Sequence, residues 1–320
     1  MTPRLTRAEV LARLAAAHNP VILIHVKPDG DAVGSAAALA HYFTRRGQAP
    51  SILCADPIPA RLAFLLDGLT LAPYTGRAGR TVLAVDVASE KQLGGLADEF
   101  GAGSPPDFSI DHHERGTPVA PCYLRPNAAA TGEILADLLT ALAKPERLAT
   151  NVATALFAAI TSDTGCFRFS NATGATHRTA ARLIDLGIDA GRVNHLLFES
   201  KTPAQLKAEA ATADRTVLAA DGRIAYAILE RPLLDRYGEE YFETAIDIVR
   251  AVAGVRIAFT VKEQANGDLR ISMRSTEADV AAVAARHGGG GHLRAAGCTF
   301  SGTAVQDAVR ALVAELTPLV

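Results

Sequence analysis

Three short apolar runs in the first part of the chain each break off into residues that can bind metal or move protons. VILIHV (21–26) leads into KPDGDAVGS, TVLAVDVAS (81–89) contains Asp86, and FSIDHH (108–113) closes on Asp111, His112 and His113. Runs this short and this rich in β-branched residues suit buried parallel strands. PSILCAD (50–56) reads as a further strand, and helical stretches such as SAAALAHYFTRRG separate the runs. Strands alternating with helices predict an α/β fold built on a parallel sheet. In open parallel sheets ligands bind outside the carboxyl ends of the strands, so residues distant in sequence meet there.

The remainder of the chain fits this frame and adds a second one. Residues 4–18 have the spacing of a short amphipathic helix, and TGEILADLLTAL and ATNVATALFAAI read as two more, the second ending at SDTG. ATHRTAARLIDLG supplies another, and the charged, alanine-rich stretch 191–214 reads as a helical linker. After Gly222 the pattern changes. RIAYAILE is a strand, RPLLDRYGEEYFETAIDIVRAVAG is helical, and VRIAFTVKEQ and LRISMRS flank ANGD as a β-hairpin would. ADVAAVAARH and DAVRALVAELTPL are the last helices. The expected organisation is a first domain over 1–190, the linker over 191–214 and a smaller α/β domain over 215–320.

Composition narrows the function classes. The chain has 320 residues and a formal charge of −2, so nothing in it reads as a basic surface for long duplex nucleic acid. Tryptophan is absent and aromatics make up 5%, which argues against an extended base-stacking groove. The four cysteines, Cys54, Cys122, Cys166 and Cys298, form no CxxC pair, so neither a thiolate zinc site nor a disulfide framework is expected. The N-terminal stretch breaks its apolar residues with Arg and Glu, and no run is long enough to span a membrane. A cytoplasmic protein with reduced thiols and no membrane partner is the expectation.

Taken singly, the acidic segments are ordinary. DGD is more often a polar turn, Asp86 a cap, DHH a solvated turn and SDTG a local backbone hydrogen bond. Together, all four follow apolar elements of one domain. Carboxylates with imidazoles and no thiolates suit hard-to-borderline divalent ions, Mn²⁺ first, with Mg²⁺ or Co²⁺ as alternatives. Two ions about 3.5–4 Å apart could share a carboxylate and a water of lowered pKa, which makes phosphate-ester hydrolysis the natural chemistry. In the second domain GGGGHLR offers Gly288, Gly289, Gly290 and Gly291, whose backbone amides can cradle an anion, beside His292 and Arg294, with Arg274 in SMRS. A flexible hinge explains four glycines equally well, and the nearby cations favour phosphate recognition. Arg168, near Asp163, reads equally as a substrate contact or a surface residue. No GxxxxGK[ST] occurs, which disfavours a P-loop enzyme.

HVKPDGDAVGS, VDVAS, IDHH and SDTG, in this order, resemble the four motifs of the DHH phosphoesterase superfamily, and SMRS followed by GGGGHLRAAG resembles the associated DHHA1 domain. The length and two-domain layout look most like the oligoribonuclease/pAp phosphatase branch. The resemblance implies that His25 and Asp29 bind one ion, that Asp31, His112 and Asp163 bind the other, and that Asp86 bridges both. It implies that His113 faces the substrate phosphate, that Asp111 orients the histidines, and that Arg274, Gly288 to Gly291 and His292 hold the substrate end that is not cut. An active-site cleft between the domains would then favour short RNA oligonucleotides and small phosphonucleotides, and a homodimer is expected on the same ground. Hydrolysis of linear or cyclic dinucleotides (pApA, cyclic di-AMP) is the alternative within enzymes, and a catalytically silent nucleotide sensor is the alternative outside them.

Overall fold

The computed structural model describes residues 2–143 and 147–320, which divide into two compact units at Ser200/Lys201. In the first unit, strands β1 (Val21–Leu23), β2 (Ser51–Leu53), β3 (Val82–Val85), β4 (Phe108–Asp111) and β5 (Cys122–Leu124) form an all-parallel sheet in the order β2-β1-β3-β4-β5. The helices are α1 (Arg7–Ala16), α2 (Gly30–Thr44), α3 (Ala97–Phe100), α4 (Thr131–Ala143), α5 (Thr150–Asp163), α6 (Gly174–Ile184) and α7 (Ala190–Asn194). Both faces of the sheet are covered. Ile22, Leu83, Val85 and Ile110 pack into the core shared with α2, α4 and α5, while Val21, Leu23, Val82 and Ala84 pack against Leu93 and Phe100. Burial on both faces explains why these strands read as continuous apolar runs. The chain leaves β1 for the edge strand β2 and returns to β3 on the other side of β1, so β1 and β3 flank the switch point where such sheets open a crevice.

The strands are shorter than the apolar runs suggest. Lys27 (φ 52°) and Asp86 (φ 61°) sit in the left-handed region just past β1 and β3, which ends the extended backbone and turns the following residues outward. β5 escaped the sequence reading because three residues after a proline carry no usable periodicity. The opposite error concerns α2. The pattern places this helix at SAAALAHYFTRRG, from Ser35, but it already begins at Gly30, because the Asp29 carboxylate caps it, accepting from the backbone N–H groups of Asp31 and Ala32 at 3.0 Å each. Asp31 therefore stands on the first helical turn.

Small residues let α2, α4 and α5 pack closely. A Cβ on Gly34 would lie 2.7 Å from the Ala155 carbonyl oxygen, and one on Gly132 would lie 2.4 Å from the Ala159 Cβ. This close approach carries the end of α5, and with it Asp163, to the carboxyl edge of the sheet.

The second unit contains a six-stranded mixed sheet. Its strands are β6 (Thr216–Ala219), β7 (Ile224–Leu229), β8 (Ile257–Glu263), β9 (Leu269–Ser275), β10 (Gly290–His292) and β11 (Ala295–Phe300), in the order β10-β11-β9-β8-β7-β6. Only β7 and β8 are parallel. Alternation splits the apolar residues between two layers. Ile257, Phe259 and Val261 face the core with α11 (Val280–Arg286) and α12 (Val305–Leu316), while Ala225, Ala227 and Leu229 face α8 (Pro203–Asp214), α9 (Arg231–Tyr237) and α10 (Ala245–Val249). The stretch read as a linker is divided between the units: α7 lies in the first, and α8, with Ala208 and Thr212 buried, lies in the second. The hairpin at ANGD is present, closed by Gln264 N–H donating to the Asp268 carbonyl at 2.7 Å with Gly267 at φ 84°.

Candidate metal centre

The residues after β1, β3 and β4 and at the end of α5 converge at the carboxyl edge of the first sheet. Among the described residues three groups of potential ligand atoms result, His25–Asp29–Asp86, Asp31–His112–Asp163 and Asp86–His112–His113, each with its atoms within 4.8 Å of one another. Asp86 connects the first two. Its Oδ2 lies 3.6 Å from His25 Nε2, and its Oδ1 lies 3.6 Å from His112 Nε2. His112 Nε2 is also 3.5 Å from Asp163 Oδ2 and 3.9 Å from Asp31 Oδ2. The left-handed backbone at Asp86 thus places one carboxylate, 2% exposed, between two imidazoles.

The backbone fixes which imidazole nitrogens face inward. His25 Nδ1 is 2.7 Å from the Val26 carbonyl and His112 Nδ1 is 3.2 Å from the Ala128 carbonyl. A carbonyl only accepts, so Nδ1 carries the proton in both and Nε2 is presented to the cluster. His113 also falls near Asp86 and His112, yet its Nδ1 is hydrogen-bonded to Asp111 Oδ1 at 2.7 Å. Asp111 Oδ1 further accepts the backbone N–H groups of His112 (2.7 Å) and His113 (3.2 Å), which locks the turn after β4.

Ser35, Thr131, Gly132 and Asn171 belong to this site and were not singled out from sequence. Asp31, fully buried, accepts the backbone N–H groups of Thr131 (2.6 Å) and Gly132 (2.9 Å) at the start of α4, and the Ser35 hydroxyl at 3.1 Å. A helix N-terminus is a favourable place for that carboxylate. The Thr131 hydroxyl donates to Asp86 Oδ1 at 3.0 Å, and Asn171 donates to the carbonyls of Asp163 and Ala129, both at 3.1 Å. Thr at a helix start was visible in TGE; its use by a carboxylate a hundred residues away was not. Beyond Asp163, Gly165, Cys166 and Phe167 all have φ between 54° and 61°, and Arg168 Nε donates to the Gly165 carbonyl at 2.6 Å.

The electrostatics argue for cations. Burial, then the charges of Asp86 and Asp163, push the Asp31 carboxyl well above the usual range; burial, then Asp29 and Asp86, do the same to Asp163. Burial disfavours charge on His25 too, but hydrogen bonds and charge from Asp29 and Asp86 outweigh it and raise its pKa to about 11. In His113 burial is likewise overcome, chiefly by Asp111 and then Asp86, and the value rises to about 9. These carboxylates cannot all ionise together without added positive charge. The donor set of oxygens and imidazole nitrogens, with no sulfur, fits divalent ions that prefer such ligands.

In the second unit the glycine run is an edge hairpin. Gly289 and Gly291 are required by close approach, since a Cβ would lie 2.1 Å from the Gly297 carbonyl and 2.5 Å from the Ala295 carbonyl respectively, and Gly288 and Gly291 have φ of 71° and 140°. Gly290 meets nothing within 4 Å. His292, Ala295 and Arg274 are directly opposite one another across β10, β11 and β9, so the histidine and the arginine share a face two strands apart. Burial lowers the Arg274 pKa, Asp247 opposes the shift and Arg250 adds to it; among the described residues no carboxylate forms an ion pair with this guanidinium. The remaining five histidines have local roles: His18 contacts Asn19, His41 contacts Asn151, His177 stacks on Phe167, His195 pairs with Glu199 and His287 pairs with Glu315.

The sequence profile described as "DHH family, N-terminal domain" matches residues 19–160, and the DHHA1 domain profile matches residues 235–317. The chain belongs to the DHH/DHHA1 family. This DHH protein is 28% identical over 300 residues to the bifunctional oligoribonuclease and PAP phosphatase NrnA of Thermus thermophilus, covering 92% of this chain and 88% of that one. It is 31% identical over 215 residues to the cyclic-di-AMP phosphodiesterase GdpP of Geobacillus thermodenitrificans, a match that takes in 63% of this chain and 31% of that larger protein. Among solved structures, an exopolyphosphatase-related protein from Bacteroides fragilis superposes with a TM-score of 0.87 at 20% identity, covering 98% of this chain and 96% of the other, and so has the same fold. No helix among the described residues is long and apolar enough to cross a membrane.

Proposed function

We propose that this phosphoester hydrolase cleaves short oligoribonucleotides to mononucleotides and converts 3′-phosphoadenosine 5′-phosphate to AMP. The observation that carries the reading is the Asp86 carboxylate, whose Oδ2 and Oδ1 lie 3.6 Å from His25 Nε2 and His112 Nε2 respectively. His25, Asp29 and Asp86 would hold one divalent ion, and Asp31, His112, Asp163 and Asp86 the other, with manganese as the working metal. When bound, such a pair lowers the pKa of water and neutralises charge on a phosphoryl group. The chain's own residues supply the rest. Asp111 holds the His113 ring by Nδ1, so its cationic form can donate to a phosphoryl oxygen or leaving group. Thr131, Gly132 and Ser35 keep Asp31 and Asp86 in place as charge shifts. Arg274, His292 and the backbone from Gly288 to Gly291 would bind the phosphate that is not cut. The full-length likeness to the Thermus enzyme supports this substrate class, and we further assign the protein to the cytoplasm as a homodimer.

The deciding experiment incubates the protein with Mn²⁺ and pAp, pApA, a five-nucleotide RNA and a 24-nucleotide RNA, resolving products over time. Rapid AMP release from pAp and mononucleotide release from the short RNA, abolished by Asp86→Ala, is the expected result. Turnover of pApA alone would favour the second reading, a dinucleotide hydrolase, which the partial likeness to the cyclic-di-AMP enzyme supports. Binding of nucleotide without turnover in any lane would identify a sensor.

A further inference from the structure

A second cation-rich feature lies at the other end of α2. Tyr42, Arg45, Arg46, Ala143, Arg147, Leu148, Ala149 and Val152 enclose a cavity of about 310 Å³. Asp31 and Arg45 are fourteen residues apart on and just beyond α2, or about 21 Å at the helical rise, so this cavity is separate from the metal centre. Three guanidiniums line it, and among the described residues none of them is ion-paired with a carboxylate. Cations near a helix C-terminus are commonplace, which accounts for Arg45 and Arg46. It does not account for Arg147, which comes from the segment before α5 and brings like charge to the same space.

Two features give the cavity more than charge. Arg46 is held in place, its guanidinium 3.9 Å from the Tyr42 ring centroid and its Nη2 donating to the Leu142 carbonyl at 3.3 Å. A guanidinium stacked on a buried ring is a flat platform suited to a planar aromatic group. Part of the lining, at Leu148, Ala149 and Val152, is apolar and includes the start of α5, whose cap position, Ala149, offers no side-chain acceptor. A volume near 300 Å³ is at the small end of ligand pockets.

We propose that this cavity is a second ligand site that takes a small phosphate monoester carrying a flat base, a nucleoside monophosphate, with Arg45 and Arg147 on the phosphate and Arg46 beneath the base. The assignment is independent of the catalytic one, because no residue is shared. Its test is calorimetric titration of the full-length, EDTA-treated protein with AMP, ribose 5-phosphate and inorganic phosphate, comparing wild type with Arg45→Ala/Arg147→Ala. The double variant should lose one class of AMP site or bind it at least about tenfold more weakly, while its Mn²⁺-dependent turnover and far-UV circular dichroism stay those of wild type. Arg45→Lys/Arg147→Lys, which keeps the charge and loses the paired donors, should fall between the two. Unchanged AMP affinity and stoichiometry in the alanine variant overturns the site. Equal affinity for AMP and inorganic phosphate overturns the assignment of a base-bearing ligand.

Discussion

The carboxyl edge of the first sheet and the glycine hairpin of the second unit are both candidate phosphate-handling sites, built on opposite principles. At the sheet edge Asp31 and Asp86 are 0% and 2% exposed, and each is fixed by donors from α4. At the hairpin Gly288 to His292 are exposed, and only the backbone path is dictated, by Gly289 and Gly291 against β11. Buried charge requires a fixed counter-charge, whereas an exposed cradle needs only backbone amides and nearby cations. Loss at the first should therefore abolish chemistry, and loss at the second should weaken binding.

The largest effect tests the first half of that contrast. Asp86→Asn should reduce kcat by about 10²-fold or more while leaving the fold intact, since the side chain stays isosteric and Thr131 can still donate to it. Steady-state kinetics beside a melting curve checks this. Arg274→Ala should instead raise KM by about ten- to a hundredfold with a smaller change in kcat, the loss of one charge-assisted contact of about 1.5–3 kcal/mol. Equal losses in kcat for both variants would erase the distinction.

A pH series sharpens it. The raised pKa values of Asp31, Asp163, His25 and His113 mean that near neutral pH, where Asp29 and Asp111 are ionised in both states, the metal-free folded cluster holds more protons than the unfolded chain. Their stabilising contribution is complete at low pH and declines as pH rises, for His113 towards about 9 and for His25 towards about 11. The EDTA-treated protein should accordingly melt at lower temperature at pH 9 than at pH 7. Metal must displace these protons, so its affinity should rise with pH by about tenfold per unit for each proton released, readable by calorimetry in buffers of different ionisation enthalpy.

The smallest effects compare glycines. Gly34→Ala forces α2 off the Ala155 carbonyl and should cost ~1–3 kcal/mol of stability, with weaker metal binding because Asp31 and Asp163 ride on α2 and α5. Gly290→Ala meets nothing and should change stability by no more than about 0.5 kcal/mol. Denaturant midpoints measure both.

The parallel sheet was legible in VILIHV, TVLAVD and FSIDHH because strands buried on both faces must be apolar throughout, and the metal-ligand candidates were legible because strand ends in such a sheet converge. The hairpin at ANGD followed from turn chemistry alone. The start of α2 at Gly30 is a local matter, set by the Asp29 cap on Asp31 and Ala32. Two things were decided only by tertiary structure. Thr131, Gly132 and Ser35 join the site through hydrogen bonds that, for the first two, span a hundred residues. Arg147 meets Arg45 and Arg46 because α2 and α5 pack side by side. Local sequence carries periodicity, caps and turns; the pairing of buried polar groups depends on which elements the core brings together, and that is a property of the packed chain.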